Sequence, residues 1–444
     1  MNKNLFNKLI HPSTLKHNYK NIIECSKYSI LNCPYNEYEL SLTTILKNIS
    51  KNNINKSNYN NKQYLIQLNN QVTNNAMDLI LLQDLYYICK QIENNKINKL
   101  ILLGDSKCKS FSVGANLKEI YYYKDSYEGK FMNLYTYYFY YVFKTFKQIN
   151  SLSIWNGYTI GGGVGLSIFS NYRIATESTV FCMPEGLFGF YTNCMYNYFI
   201  SKFDFSLAEA LYFNFIGRKL SSWEVYNKGL ANYFILNKYI ISDSHDINFH
   251  KSSLINFLKH HDIVEDKILL EKYLDYLMQL SLEEIGYSLN ENRKLILTER
   301  KFNSEINKYE YKLNKTENEI KMFCNEYFVS NCDIDSFDSI YEYITNDKRL
   351  KEVDVIKEPN KYYFINYLRN CMLKKSKYSL KINYEITKMA YNNITYEDAF
   401  NKDLKALDLV VNKKEFYEGI RAYFIDKDKK PKWNDCSISN VNLL

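Results

Sequence analysis

Glycine is scarce in this chain, at 14 of 444 residues, and arginine is scarcer still, supplying seven of the 57 basic side chains. No stretch of roughly 18 residues is both strongly apolar and free of charge, which argues against a membrane-spanning helix. The ten cysteines include no CxxC pair, and no Cys/His set has zinc-site spacing. Free thiols in a reducing compartment, and no metal, are therefore expected. The six histidines fall at 11, 17, 245, 250, 260 and 261, so no histidine base comes from the glycine-rich half of the core, and a Ser-His-Asp triad there is excluded. His260 and His261 lack an acidic or cysteine partner at ligand spacing and read as a solvated helix end.

What is present begins with apolar residues at 46% of a long chain, enough for one large core with additions, since single cores rarely exceed ~250–300 residues. The net charge of +8 is spread along the chain, which permits an anionic partner without specifying one. Residues 1–35 read as a mitochondrial targeting or disordered segment: the first 23 hold four Lys, two His and no acid, although such segments favour Arg and none is present. The Asn- and Lys-rich stretch 47–63 is too polar to bury itself and reads as a loop between strands at 38–46 and 63–69. Helical spacing over 76–94 followed by the apolar run 99–105 completes a strand, helix, strand unit. The order recurs as a helix over 130–149, a strand over 151–158 and a strand over 172–177. The pattern predicts stacked ββα turns in a core over 36–240, helical additions over 241–330 and a helical C-terminal region over 331–444.

Five of the 14 glycines crowd into GYTIGGGVGLS (157–167). A triple glycine after a strand lets the backbone turn sharply and brings N–H groups to a surface that no Cβ could approach. A following helix would place those donors at its positive end, where an oxyanion is stabilised. Phosphate binding is a rival use, but neither GxxxxGK[ST] nor GxGxxG is present. Close packing of backbone on backbone is another. A second turn of the same kind, FSVGANLKEI (111–120), follows an apolar strand and places Ala115 after Gly114. Two such turns can aim two N–H groups at one oxygen.

With these two turns the sequence resembles the crotonase superfamily, an α/β fold with a ββα superhelix core. Its acyl-CoA enzymes hold a thioester carbonyl between two backbone amides. By position these are the amides of Ala115 and Gly162, with Gly114, Gly161 and Gly163 shaping the substrate site. Hydratases of the superfamily carry a Glu two residues after the triple glycine, where this chain has Gly165. GYTIGGGVGLS, YRIATESTVFCMPEGLFGF (172–190), FIGRKLSSWEVYNKGLANYF (215–234) and the closing EFYEGIRAYFIDKDKKPKW (415–433) are instead similar to the 3-hydroxyisobutyryl-CoA hydrolase family.

The resemblance implies catalysis by Glu185, in MPE, and by a second acid eight residues on, which here is Asn193. It places Tyr137, where the family has a Glu, at the substrate, together with Asn75 and Ala76. Val72 stands where a basic residue near the CoA is usual, and Met195-Tyr196-Asn197 replace a glycine run. From the residues alone a carboxylate capping a helix after Pro184 is the alternative use of Glu185, and Met195, Tyr196 and Tyr137 are candidates to fill the acyl pocket. The aromatic series 135–146 reads as core.

The expectation is a mitochondrial acyl-CoA thioester hydrolase with an acyl-CoA substrate, no cofactor beyond the CoA of that substrate, and no membrane partner. The alternative is an inactive crotonase-fold structural subunit with ribosomal RNA and protein as partners. Oligomeric state is not legible in the sequence.

Overall fold

The computed structural model describes residues 44–48, 63–94, 99–125, 131–241, 252–297, 318–346, 353, 356–411 and 413–433. The expected targeting segment, the 49–62 connection and most of the charged stretch 299–323 lie outside them. Among the described residues no helix is long and apolar enough to cross a membrane.

Strands β1 (Thr44–Asn48), β2 (Gln63–Leu68), β3 (Lys99–Gly104), β5 (Asn150–Trp155), β7 (Tyr172–Ala175) and β10 (Tyr233–Phe234) form one sheet in that order. β1 and β2 are antiparallel and the remaining neighbours parallel. A second sheet runs β4 (Ser110–Ser112), β6 (Tyr158–Ile160), β8 (Val180–Cys182) and β9 (Leu220–Ser221). Each turn of chain thus contributes one strand to each sheet, β3 with β4, β5 with β6, β7 with β8, which is the expected ββα superhelix.

Period-two alternation explains why the first sheet is buried on both faces. Leu65, Ile101, Leu103, Leu152 and Ile154 face one cluster, with Tyr273 and Leu277. Ile66, Leu68, Leu100 and Leu102 face another, which takes in helix α1 (Leu79–Asn94), helix α3 (Phe131–Lys147) and the C-terminal helices. The short helix α2 (Leu117–Tyr123) lies between α1 and α3 in the chain.

The single strand expected over 151–158 is two strands. Asn156 breaks it by clasping Gly104, donating Nδ2–H to the Gly104 carbonyl (2.7 Å) and accepting the Gly104 N–H on Oδ1 (3.0 Å). Gly157 then turns at φ 127°, so the chain crosses from one sheet to the other. The region 241–330 is not wholly helical. It holds a long helix, Lys267–Ile285, followed by two antiparallel strands, β11 (Tyr287–Leu289) and β12 (Leu295–Leu297). The C-terminal region is helical over Pro359–Leu373, Lys377–Ala390, Tyr396–Val411 and Lys414–Ile420.

Candidate active site

Parallel neighbours end on the same side of a sheet, so the turns that follow β4, β6 and β8 converge. Between them lies a cavity of about 530 Å³. Ala115, from the first turn, Gly161 and Gly162, from the second, and Glu185, from the third, share its wall.

The amide of Ala115 is free for a reason of geometry. Met77 and Ala115 form an isolated parallel bridge. Met77 exchanges hydrogen bonds with the flanking Gly114 carbonyl (2.7 Å) and Asn116 amide (2.8 Å). In such a bridge the central N–H faces the other way. Gly162 opens helix α4 (Gly162–Ser167), so its N–H is one of the donors that a helix leaves unpaired at its start. The two turns touch: a Cβ added to Gly114 would sit 2.8 Å from the Gly162 nitrogen, and Gly114 itself holds φ +82°. Gly114 and Gly163 do not line the cavity. They let the strands close up, a Cβ on Gly163 meeting the Ser112 carbonyl at 2.5 Å.

Glu185 begins a 3-10 turn, Glu185–Phe188, directly after Pro184. Its carboxyl is buried and Oε2 has no hydrogen-bond partner in the protein. Burial pushes its pKa up to about 8, opposed by its own amide and by Lys375. The carboxyl lies against Gly161, where a Cβ would be 2.7 Å from Oε1 and the backbone sits at φ 55°, ψ −120°, a region essentially reserved for glycine. Gly161→Ala should therefore cost about 1–3 kcal/mol of stability, read as a lowered melting temperature. Pairing it with Glu185→Ala removes the clash but not the backbone strain, so recovery should be partial. Full recovery would show that the backbone is unstrained.

Asn193 also lines the cavity, its Oδ1 accepting from the Cys194 thiol at 3.2 Å. Ala76 lines it as well, whereas Asn75 stands behind, donating Nδ2–H to the carbonyls of Ser110 and Phe111 at 3.0 Å each. Asn75 thus ties the loop carrying Ala76 to β4.

Tyr137 is a correction. Its ring, 1% exposed, turns away from the cavity toward Tyr86 on α1, with their hydroxyls 3.4 Å apart. At about 100° per residue, a position two from Tyr135 falls on the far side of the helix. The cavity face of α3 is instead Met132, Tyr135, Thr136, Phe139 and Tyr140, so the aromatic series is both core and wall. Met195 and Tyr196 do not fill the cavity either. They are buried in the core away from it, where Cys194 and Met195 hold left-handed φ values of 63° and 59° without glycine. The buried Asp403 carboxylate takes the backbone N–H groups of both residues and accepts the Tyr140 hydroxyl at 2.8 Å.

Gly165 has its own explanation, because a Cβ there would meet Cys194 Sγ at 2.7 Å. A carboxylate side chain at 165 has no room. Glu119, not anticipated from the sequence, is a second buried acid whose pKa burial pushes up to about 8. Its Oε2 accepts the Leu79 amide at 3.0 Å, capping α1, and it does not line the cavity. The far wall comes from the C-terminal region, as Leu407, Phe416 and Phe424. Among the described residues the lining holds one acid, Glu185, and one cation, Lys118, which like Val72 is exposed and so lies at the rim. No cluster of described residues could hold a metal ion.

The chain matches the family model described as enoyl-CoA hydratase/isomerase over residues 64–293 and 274–443. It is 25% identical to a mitochondrial 3-hydroxyisobutyryl-CoA hydrolase of Danio rerio over 388 residues, covering 86% of this chain and 85% of that protein. It is 24% identical to the enzyme of the same name from Dictyostelium discoideum, with 77% of each chain covered. Among solved structures it superposes on an enoyl-CoA hydratase from Rhodobacter sphaeroides 2.4.1 with a TM-score of 0.59 at 15% identity, covering 90% of this chain and 94% of the other. A carnitinyl-CoA dehydratase from Mycobacterium thermoresistibile gives 0.56 at 16% identity, covering 87% and 92%.

Proposed function

Because the chain belongs to the enoyl-CoA hydratase/isomerase family, we propose that its cavity binds an acyl-CoA thioester and hydrolyses it, with 3-hydroxyisobutyryl-CoA as the first substrate to test. The observation that carries this reading is the meeting of the Ala115 and Gly162 turns with a buried Glu185, whose Oε2 has no hydrogen-bond partner, on one cavity wall. The relatives named as mitochondrial hydrolases support the reading and favour a mitochondrial location.

In the first step the Glu185 carboxylate takes a proton from water as the water oxygen bonds to the thioester carbon. The carbonyl electrons move onto oxygen, which lies between the amides of Ala115 and Gly162. As the carbonyl re-forms, the C–S bond breaks and the proton on Glu185 passes to the departing sulfur, giving a carboxylic acid and the CoA thiol. One group serves both halves, and burial raises the Glu185 carboxyl toward the range in which it can both take and return a proton. Lys118 offers the anionic CoA a cation at the rim where Val72 cannot. Gly165, with Cys194 against it, speaks against hydration.

Purified protein incubated with 3-hydroxyisobutyryl-CoA should release thiol, and no release above background from this or a panel of acyl-CoA thioesters would overturn the reading. A retired, structural subunit is disfavoured by the open cavity, which the bulky residues at 195 and 196 leave unfilled. For the same reason Asn193→Asp, which returns an acid to the wall, should raise kcat by about 10², the lower end of the range for a positioned acid or base. Loss of melting temperature without a gain in rate would place position 193 outside the chemistry.

A further inference from the structure

The turn that carries Glu185 rests on a buried cation. Lys375 lies between the helices Pro359–Leu373 and Lys377–Ala390 and is 3% exposed. A Cβ added to Gly186, the residue after Glu185, would be 3.6 Å from its Nζ. The ammonium donates to the carbonyl of Phe215, in the last turn of helix Leu207–Ile216, where the negative end of the helix favours a cation. No carboxylate among the described residues forms an ion pair with it. Its backbone is held as well, by the Lys375 amide donating to the Met372 carbonyl at 3.1 Å and by Ser376 capping the next helix. Lys375 does not line the cavity.

We propose that Lys375 is a positioning residue for Glu185: its buried ammonium, fixed beneath the turn, supplies the positive charge that lets the Glu185 carboxyl ionise inside an apolar wall. This deepens the hydrolase reading and rests on it for its consequence in catalysis, although the pairing itself does not. A carboxyl and an amine buried apart would both favour their neutral forms, whereas buried as neighbours each favours the charge of the other. Burial pushes Glu185 up to about 8 and Lys375 down to about 8, and each acts back on the other in the opposing sense. The other groups that face the pair are thiols and a phenol. Cys182, on β8, is pushed up to about 12 by burial, and Cys194 and Tyr196, on the turn beyond Asn193, are also raised by burial. Cys371 faces Lys375 from its own helix, and Lys219 acts on Cys182.

The test follows the carboxyl and the amine directly. Side-chain carboxyl carbon NMR, with the Glu185 signal assigned by its loss in Glu185→Gln, should show the Glu185 midpoint rising by about one pH unit or more in Lys375→Met and returning in Lys375→Arg. The reciprocal arm keeps Lys375: in Glu185→Gln its amine midpoint should fall by a matching amount, because the coupling of two titrations is mutual. If hydrolysis is present, the acid limb of its pH profile should move up with the carboxyl in Lys375→Met. An unmoved Glu185 midpoint in folded Lys375→Met, or an unmoved Lys375 midpoint in Glu185→Gln, would overturn the proposal. Should Lys375→Met fail to fold, the reciprocal arm alone decides. Reciprocal shifts in a protein that cleaves no thioester would uphold the pairing while removing the hydrolase reading.

Discussion

Glu185→Gln should lower thioester hydrolysis by about 10³–10⁴, the upper part of the range for a lost acid or base, because it removes the one acid among the described lining residues. The same substitution should make the protein more stable in alkaline buffer. The folded-state pKa of Glu185 is raised from its ordinary 4.5 to about 8. Between those values the folded chain holds a proton that the unfolded chain has released, so stability falls as pH rises through the window and stays low above it. Glutamine cannot ionise and escapes that loss. Melting curves at pH 5 and pH 9 should therefore show a small difference between variant and parent at the lower pH and a clear gain for the variant at the higher. Equal turnover in the two proteins would reduce Glu185 to a helix cap. An unchanged melting temperature at pH 9 would show that the carboxyl is not buried in solution. Glu119, raised to about 8, and Asp403, raised to about 7, act in the same direction, so the parent itself should lose stability from pH 5 to pH 8.

The near part of this site was legible in sequence because it is made of backbone. Gly161 and Gly162 advertise a turn that only glycine can make, and Gly114 with Ala115 repeats it after another strand. Strand, turn and helix are local, so their order along the chain predicts the convergence of the turns. The strand break at Asn156 was not legible, since it depends on a side chain clasping Gly104, 52 residues away. Tyr137 shows a different limit. A family position says nothing of its phase on the helix, which the spacing of Tyr135, Phe139 and Tyr140 does contain. The far wall and the cation behind the turn are hidden for another reason: Leu407, Phe416, Phe424 and Lys375 are ordinary core-type or charged residues until the C-terminal helices fold back onto the core. Burial of Lys375 in particular contradicts what a lysine in a charged helical region leads one to expect.

The fold-back has its own glycine, and Gly419→Ala should damage stability and catalysis together. Gly419 lies in the last helix, Lys414–Ile420, and a Cβ there would sit well inside contact distance of the backbone of Phe188, the end of the Glu185 turn. Gly189 answers from the other side, at φ +71°, with its own missing Cβ 2.7 Å from the Glu415 carbonyl. Two backbones therefore touch, and backbone cannot rotate aside as a side chain can. An added methyl group must push the last helix off the turn, at a cost of roughly 1–3 kcal/mol or more. The displaced helix carries Phe416 from the cavity wall, and the chain beyond it carries Phe424 and Trp433, whose Nε1–H donates to the Lys374 carbonyl at 2.8 Å. Displacement thus reaches both the wall and the neighbour of Lys375. A shift of about 1 Å in a reacting group can cost about 10² in rate, so kcat should fall by that order in a protein that still folds. Phe424→Ala separates the two effects. It opens the wall while leaving the backbone contact, so KM should rise more than kcat falls. A Gly419→Ala protein that keeps both its melting temperature and its kcat would show that the last helix does not hold the Glu185 turn in place.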